Sequence, residues 1–222
     1  KSKIRSISVL FPEITKDVLE KLKEKCSIHT SLGDGKYRVD LKPVRIQGIG
    51  EAEELFGAEE TANEMIAVYL FDETEILRCR QEINDQKMVA GLIYLDNYDE
   101  ALESVEEVRR SLLTALIDRK INKYISGMNG ITKKLEKDKY FFAIKQRYVQ
   151  ELRDNRFSLL EEVKAVNIGN EMAVTLSIGL GMGGETYGQN YEFSRMAIDM
   201  ALGRGGDQAV VEKGRQDFIL WR

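Results

Sequence analysis

The chain has 222 residues, 43% of them apolar and 32% charged, with a formal net charge of −4. That is enough apolar material for a real core, while the near-balance of charge leaves no basic field to hold nucleic acid and no polybasic patch for an anionic membrane. No apolar run approaches the roughly 20 residues needed to cross a bilayer, and Lys1-Ser-Lys-Ile-Arg5 does not read as a signal peptide. The sequence is therefore expected to be soluble, of globular composition, and not a nucleic-acid binder.

Residues Ile4 to Leu10 alternate imperfectly between apolar and polar, and Thr15 then stands as the cap of a helical pattern at Val18, Leu19 and Leu22. Two strand-like pieces follow, Ser27 to Leu32 and Lys36 to Val44, and Gly33-Asp34-Gly35 between them suits a tight hairpin. The glutamate-rich stretch 46 to 64 reads as a surface loop or short helix, and Met65 to Phe71 as a further strand. A short helix through Leu77 bridges onward, with residues 81–87 read as a linker.

Met88 to Leu95 is a continuous apolar run that stops on Asp96-Asn97-Tyr98-Asp99, the pattern of a buried central strand delivering carboxylates to a sheet edge. Asp96 and Asp99 are thus the first candidates for chemistry; the plainer reading is that Asp96-Asn97 ends the strand and Asp99 caps the next helix. Apolar residues at Leu102, Val105, Val108, Leu112, Leu116, Ile117, Ile121 and Tyr124 predict one long helix ending at Gly127-Met-Asn-Gly130. Short strands at Ile131 to Leu135 and Tyr140 to Ile144 flank Glu136-Lys-Asp-Lys139, and a helical stretch from Gln146 to about Val166 breaks near Asp154-Asn155. Ala173 to Leu180 reads as another buried strand. The glycines at 179, 181, 183, 184 and 188 read as a mobile loop before a helix capped by Asn190 and stopped by Gly203. Gln208 to Glu212 and Phe218 to Trp221 form a closing hairpin. The order of elements from Met88 onward predicts an α+β fold with a mixed sheet.

Chemistry-bearing motifs are sparse. Cys26 and Cys79 lie far apart and outside any Cys-x-x-Cys spacing, so they read as reduced thiols, and His29 is the sole histidine and reads as a surface residue. Gly179-Leu-Gly-Met-Gly-Gly184 satisfies G-x-G-x-x-G, but Glu185-Thr-Tyr-Gly-Gln separates it from the next helix, and Asp199, about 20 positions on, falls inside that helix instead of on a parallel strand. A dinucleotide site is rejected on that context.

Leu95-Asp-Asn-Tyr-Asp-Glu100, Thr175-Leu-Ser-Ile-Gly179 and above all Ala197-Ile-Asp-Met-Ala-Leu-Gly-Arg-Gly-Gly-Asp207-Gln208 resemble the degenerate GGDEF domain of the GdpP/YybT-type cyclic-di-AMP phosphodiesterases. Residues 88–222 follow that family's order of elements. Residues 1–80 are similar to the later part of its PAS domain, through Leu10-Phe-Pro-Glu13, Lys36-Tyr-Arg-Val39 and Val68-Tyr-Leu-Phe-Asp-Glu-Thr74. The resemblance implies a GGDEF/nucleotide-cyclase-like mixed sheet flanked by helices and preceded by a partial PAS-like segment. It also implies a parent protein in the bacterial cell membrane, with two transmembrane helices before the PAS domain and a manganese-dependent DHH/DHHA1 phosphodiesterase after the GGDEF domain. The segment itself would lie on the cytoplasmic side as the regulatory middle. Its partners would be those helices and that domain, with a second copy as a homodimer. Haem and manganese are expected only in the full-length parent.

The departures from that family pattern carry as much information. Where active diguanylate cyclases end the first strand in two aspartates spaced by one residue, the first of which binds the metals, this sequence has Tyr94 at that first position and keeps only Asp96. The signature turn aligns with Glu136-Lys-Asp-Lys-Tyr140, so its acid survives as Asp138 while both glycines are gone. The guanine-reading positions fall near Leu102 and Ser111, neither matching. The expectation is no diguanylate cyclase activity and at most weak ATP binding or hydrolysis. Asp96 and Asp138 would hold one Mg²⁺ with ATP, and Lys137, Lys139 and Arg204 would contact phosphate. Two alternatives stay open: a purely structural dimerisation or signal-relay module in which these acids are ordinary turn residues, and an active nucleotide cyclase.

Overall fold

The computed structural model describes residues 9, 11–20, 22, 24–45, 64–214 and 217–221. The chain divides into two compact units, Lys1–Glu82 and Ile83–Arg222. The imperfect alternation at Ile4 to Leu10 lies outside the described residues except for Val9, and the loop or short helix expected at 46 to 64 does so up to residue 63.

In the first unit, α1 (Lys16–Glu20) begins where the Thr15 hydroxyl accepts the Val18 N–H at 3.4 Å. Strands β1 (Cys26–Leu32), β2 (Gly35–Arg45) and β3 (Glu64–Asp72) form an antiparallel sheet in that order. Leu32 pairs with Gly35, so the connection is the two-residue turn Gly33-Asp34, and Gly33 takes φ +59°, which an L side chain resists. One face packs Phe11, Ile14, Val39 and Leu41 into a small core. The opposite face holds a polar cluster. Asp40, 3% exposed, accepts from Lys25 at 2.7 Å, from Ser27 at 2.8 Å and from Arg38 at 2.8 Å, and Arg38 also donates to Glu73 at 2.8 Å. A buried carboxylate survives only with such partners.

Residues 81–87, read as a linker, are helical as far as Gln86, the end of α2 (Thr74–Gln86), where no Gly or Pro interrupts 74–86, and the division between the two units falls among them. The Asp72 carboxylate accepts the Thr74 N–H at 2.9 Å at the start of α2.

The second unit contains β4 (Met88–Leu95), α3 (Tyr98–Glu103), α4 (Glu107–Gly127), β5 (Ile131–Lys134), β6 (Lys139–Lys145), α5 (Tyr148–Asp154), α6 (Leu159–Lys164), β7 (Leu176–Met182), α7 (Tyr187–Gly203), β8 (Ala209–Lys213) and β9 (Asp217–Trp221). The sheet order is β5-β6-β4-β7-β8-β9, with β7 and β8 parallel and the other neighbours antiparallel. The apolar run Met88–Leu95 is thus an interior strand, paired on both sides. Among the described residues no helix is long and apolar enough to cross a membrane.

Two expectations change in this unit. The single long helix is two, because the Ser104 hydroxyl turns back to the Ala101 carbonyl at 2.7 Å and Glu106 is extended at φ −52°, ψ 138°. The break resets the helical phase. Leu113, Ile117, Ile121 and Ile125 face the core, whereas Val108 and Leu112, expected inside, are 89% and 51% exposed. The second change concerns the glycines. Gly179 and Gly181 lie inside β7, and a Cβ added at Gly181 would stand 2.0 Å from the Asn190 carbonyl and 2.4 Å from the Ser194 nitrogen. At Gly179 it would stand 2.5 Å from the Ile198 nitrogen. The glycines admit the α7 backbone onto the sheet and are not loop residues. Thr186, not Asn190, caps α7 by accepting the Gln189 N–H at 3.1 Å. Asn190 is instead buried one turn in, bonded to the Met88 carbonyl at 2.9 Å and the Gly184 N–H at 2.8 Å.

Gly181→Ala is expected to lower unfolding stability by about 1–3 kcal/mol or more, since the obstructing atoms are backbone, whereas Gly127→Ala, with nothing within 4 Å, should be neutral or slightly stabilising. Urea unfolding of both variants checks this. A second expectation follows from Asp40, whose partners, Lys25 first, hold its pKa down at about 2. A depressed carboxylate contributes stability above its unfolded value near 4, and that contribution is lost as pH falls through about 2. Acid titrations of wild type and Asp40→Asn should diverge above pH 4 and converge below about 2.

Candidate strand-end site

At the end of β4 the chain turns at Asp96-Asn97, and Asp96 is held from three directions. Its N–H donates to the Thr175 carbonyl at 3.0 Å, its Oδ1 accepts the Ser177 hydroxyl at 2.7 Å, and its Oδ2 accepts the Asp207 N–H at 2.9 Å. The last bond depends on the turn after α7. Gly205, Gly206 and Asp207 take φ +103°, +73° and +52° in succession, and a Cβ at Gly206 would lie 2.8 Å from the Asp96 carboxyl. Those two glycines exist for backbone shape and for close approach. The Asp207 Oδ2 accepts from Lys164 Nζ at 2.7 Å, while its Oδ1 is buried with no hydrogen-bond partner among the described residues. The Lys164 ammonium is raised in pKa by that contact with Asp207.

Asn97 is at the start of α3 but does not cap it with its side chain. Its amide bridges instead to the Ala173 carbonyl at 2.8 Å and the Thr175 N–H at 2.9 Å. Asp99 lies in the first turn of α3 and binds Lys137 Nζ at 2.6 Å, an exposed pair that raises the lysine.

The expected site residues meet only in part. The Leu95 N–H donates to the Asp138 carbonyl at 2.9 Å, so Asp138 and Asp96 lie at the same end of the sheet. Asp138 contributes its main chain there, whereas Asp96 contributes its side chain. Lys137 is paired with Asp99, Lys139 with Glu136 at 2.8 Å, and Arg204 is the exposed C-cap residue of α7. Tyr94 is half-buried opposite Lys139 on one neighbour and Ser177 on the other, its hydroxyl raised in pKa chiefly by burial. A phenol there offers no carboxylate. Among the described residues no group of three or more His, Cys, Asp or Glu is placed to hold a metal ion. Both Asp96 oxygens already accept a hydrogen bond, so a cation there would have to share the carboxylate with Ser177 and the Asp207 amide.

Three participants escaped sequence reasoning. Ser177 and Lys164 carry no local signal and reach Asp96 and Asp207 across 81 and 43 residues. Tyr140, 1% exposed, donates to Asp118 on α4, beside Lys134 at 3.0 Å from the same carboxylate, and burial and Asp118 push its pKa up.

The sheet and helices define the class first. The fold is that of the active GGEEF domain of a diguanylate cyclase from Vibrio cholerae (TM-score 0.50, 14% identity, 64% of this chain and 90% of that one). A diguanylate cyclase/phosphodiesterase from Caldicellulosiruptor saccharolyticus shares it too (TM-score 0.50, 16% identity, 65% and 87%). The family model described as cyclic-di-AMP phosphodiesterase GdpP-like, GGDEF domain, matches residues 93–218, more than half of the chain, and the protein belongs to that family. The cyclic-di-AMP phosphodiesterase GdpP of Geobacillus thermodenitrificans is 29% identical over 147 residues, covering 66% of this chain and 22% of that protein. PdeA of Listeria monocytogenes is 28% identical over 146 residues, covering 66% and 22%. The chain thus matches about a fifth of the length of these relatives.

Asp96→Ala removes the acceptor for both Ser177 and the Asp207 amide, and is expected to cost about 2–4 kcal/mol for two part-buried bonds to a charged group. Asp138→Ala, which leaves the main-chain bond intact, should cost under about 0.5 kcal/mol as an ordinary surface change. Chemical denaturation of the two variants distinguishes a clamp from a turn acid.

Proposed function

We propose that this chain is the regulatory middle of a membrane-bound cyclic-di-AMP phosphodiesterase, a PAS-like segment in residues 1–80 followed by a degenerate GGDEF domain in residues 88–222. The observation that carries it is the strand end, where one metal position of a cyclase is Tyr94 and the remaining acid, Asp96, is committed to the Ser177 and Asp207 bonds. Two-metal phosphoryl transfer needs carboxylates free to hold cations against a triphosphate. This arrangement supports at most weak Mg²⁺–ATP binding through Asp96 and Asp138, with the exposed Arg204 offered to phosphate and Lys137 and Lys139 available if their exposed pairs open. Hydrolysis of cyclic-di-AMP belongs to a DHH/DHHA1 domain with manganese elsewhere in the parent, and haem to a complete PAS domain. The cytoplasmic side of the membrane is the place such a segment would occupy.

Incubated with GTP and Mg²⁺, the protein should yield no cyclic-di-GMP above a no-protein control. Calorimetric titration with ATP should give weak, Mg²⁺-dependent binding that Asp138→Ala and Asp96→Asn reduce. Unchanged affinity in both would leave the strand end a purely structural turn. Cyclic-di-AMP hydrolysis by the parent with and without residues 1–222 reads the regulatory role directly.

A further inference from the structure

Helix α2 carries an apolar face that none of the described residues covers. It buries no side chain along its 13 residues, and Ile76 and Ile83 stand 64% and 67% exposed. A helix of that length is marginal in water by propensity alone, and packing of an apolar face normally supplies the rest. The start of α2 is held, since the Thr74 hydroxyl accepts the Lys36 N–H at 2.8 Å and the Asp72 carboxylate accepts the Thr74 N–H. Leu77 turns toward the β1–β2 hairpin, where it lines a recess with His29, Lys36 and Tyr37. Ile76 and Ile83, each about 100° or more round the axis from Leu77, share a different face and lie seven residues apart.

Seven residues is the repeat of a two-stranded coiled coil. With Ile76 and Ile83 at the first seam position, Cys79 and Gln86 take the second, and β-branched residues at the first favour two parallel strands. The flanking charges select the same arrangement. Glu75 stands five residues before Arg80, and Glu82 five before Lys87, which follows the last helical residue. In a parallel pair these flanking positions meet across the seam as Glu75 with Arg80 and Glu82 with Lys87; in an antiparallel pair glutamate would meet glutamate and the basic residues each other. We propose that α2 is the contact through which a second copy of this chain binds, the two helices parallel and in register about a two-fold axis, with Ile76 and Ile83 in the seam. The seam is short, but α2 is already formed and anchored in each copy, so little conformational freedom is lost on pairing. The contact lies apart from the strand end and does not rest on the reading of the chain as a regulatory segment, because association and cross-linking alone report on it.

Sedimentation equilibrium of the whole chain at up to about 0.5 mM should show monomer and dimer in exchange. Ile83→Asp changes an exposed residue and spares the folded monomer, and it should weaken the dimer at least about tenfold. Val108→Asp, at the exposed apolar residue of α4, should leave association unchanged. Glu75→Arg and Arg80→Glu should each weaken the dimer about three- to tenfold, and the two together should restore it to within about twofold of wild type. In a Cys26→Ser background, copper phenanthroline should join two chains through Cys79, whose thiols face each other across the seam. The same background carrying Cys79→Ser and Gln81→Cys, with the thiol on the side away from the seam, should give little product. A chain that stays monomeric at the highest concentration overturns the proposal. So does a dimer that Ile83→Asp leaves intact, a double charge exchange that fails to restore association, or equal cross-linking from positions 79 and 81.

Discussion

The contact on which the second unit depends is the approach of α7 to β7 at Gly179 and Gly181, where helix backbone stands within 2.5 Å of the places two Cβ atoms would take. With the helix seated that low, Ala197 and Ala201 fill the contact beside Val210, and the chain can return as β8 parallel to β7. A parallel pair needs such a crossover. The crossover must end in a turn that brings the chain back to the strand end, and Gly205-Gly206-Asp207 does so in left-handed backbone. Gln208 closes it by donating to the Ala201 carbonyl at 2.9 Å. The Asp207 amide then reaches Asp96 because α7 is close, not because of anything local to Asp96.

That dependence decides which bonds the strand-end carboxylate makes. A carboxylate at a strand end can hold a cation or hold the protein together, and the two uses compete for the same lone pairs. Here Ser177 and the Asp207 amide donate to Asp96, Lys164 neutralises Asp207, and Tyr94 occupies the neighbouring inward position. Four separate segments meet at this point. The acid ties those segments together through its two side-chain bonds.

The first unit repeats the lesson with different residues. Asp40, almost wholly inside, is tolerable because Lys25, Ser27 and Arg38 donate to it, and Arg38 in turn bonds Glu73 and lies 4.3 Å over the Phe71 ring. The cluster ties β1, β2 and β3 on the face away from the small apolar core. A three-stranded sheet whose described residues bury few apolar side chains relies on such pairs more than a larger domain would.

Strands were legible wherever burial on both faces wrote a continuous apolar run, as in Met88–Leu95, or where glycine and aspartate marked a turn, as at Gly33-Asp34. Period and turn chemistry are local, and the chain carries them by itself. The resemblance to the GdpP-type GGDEF family was legible too, because the run through Gly205-Gly206-Asp207 is a backbone requirement written as residue types. What no local pattern could supply was phase and partnership. A serine at 104 split one helix and turned Val108 and Leu112 outward. Glycines that look like a loop in sequence became the floor under a helix, because only the packed structure puts another backbone over them. Asp96 was visible as an acid at a strand end, but the bonds its carboxylate makes come from Ser177 and Asp207, 81 and 111 residues away. A hydrogen bond over that separation exists only after the sheet has formed.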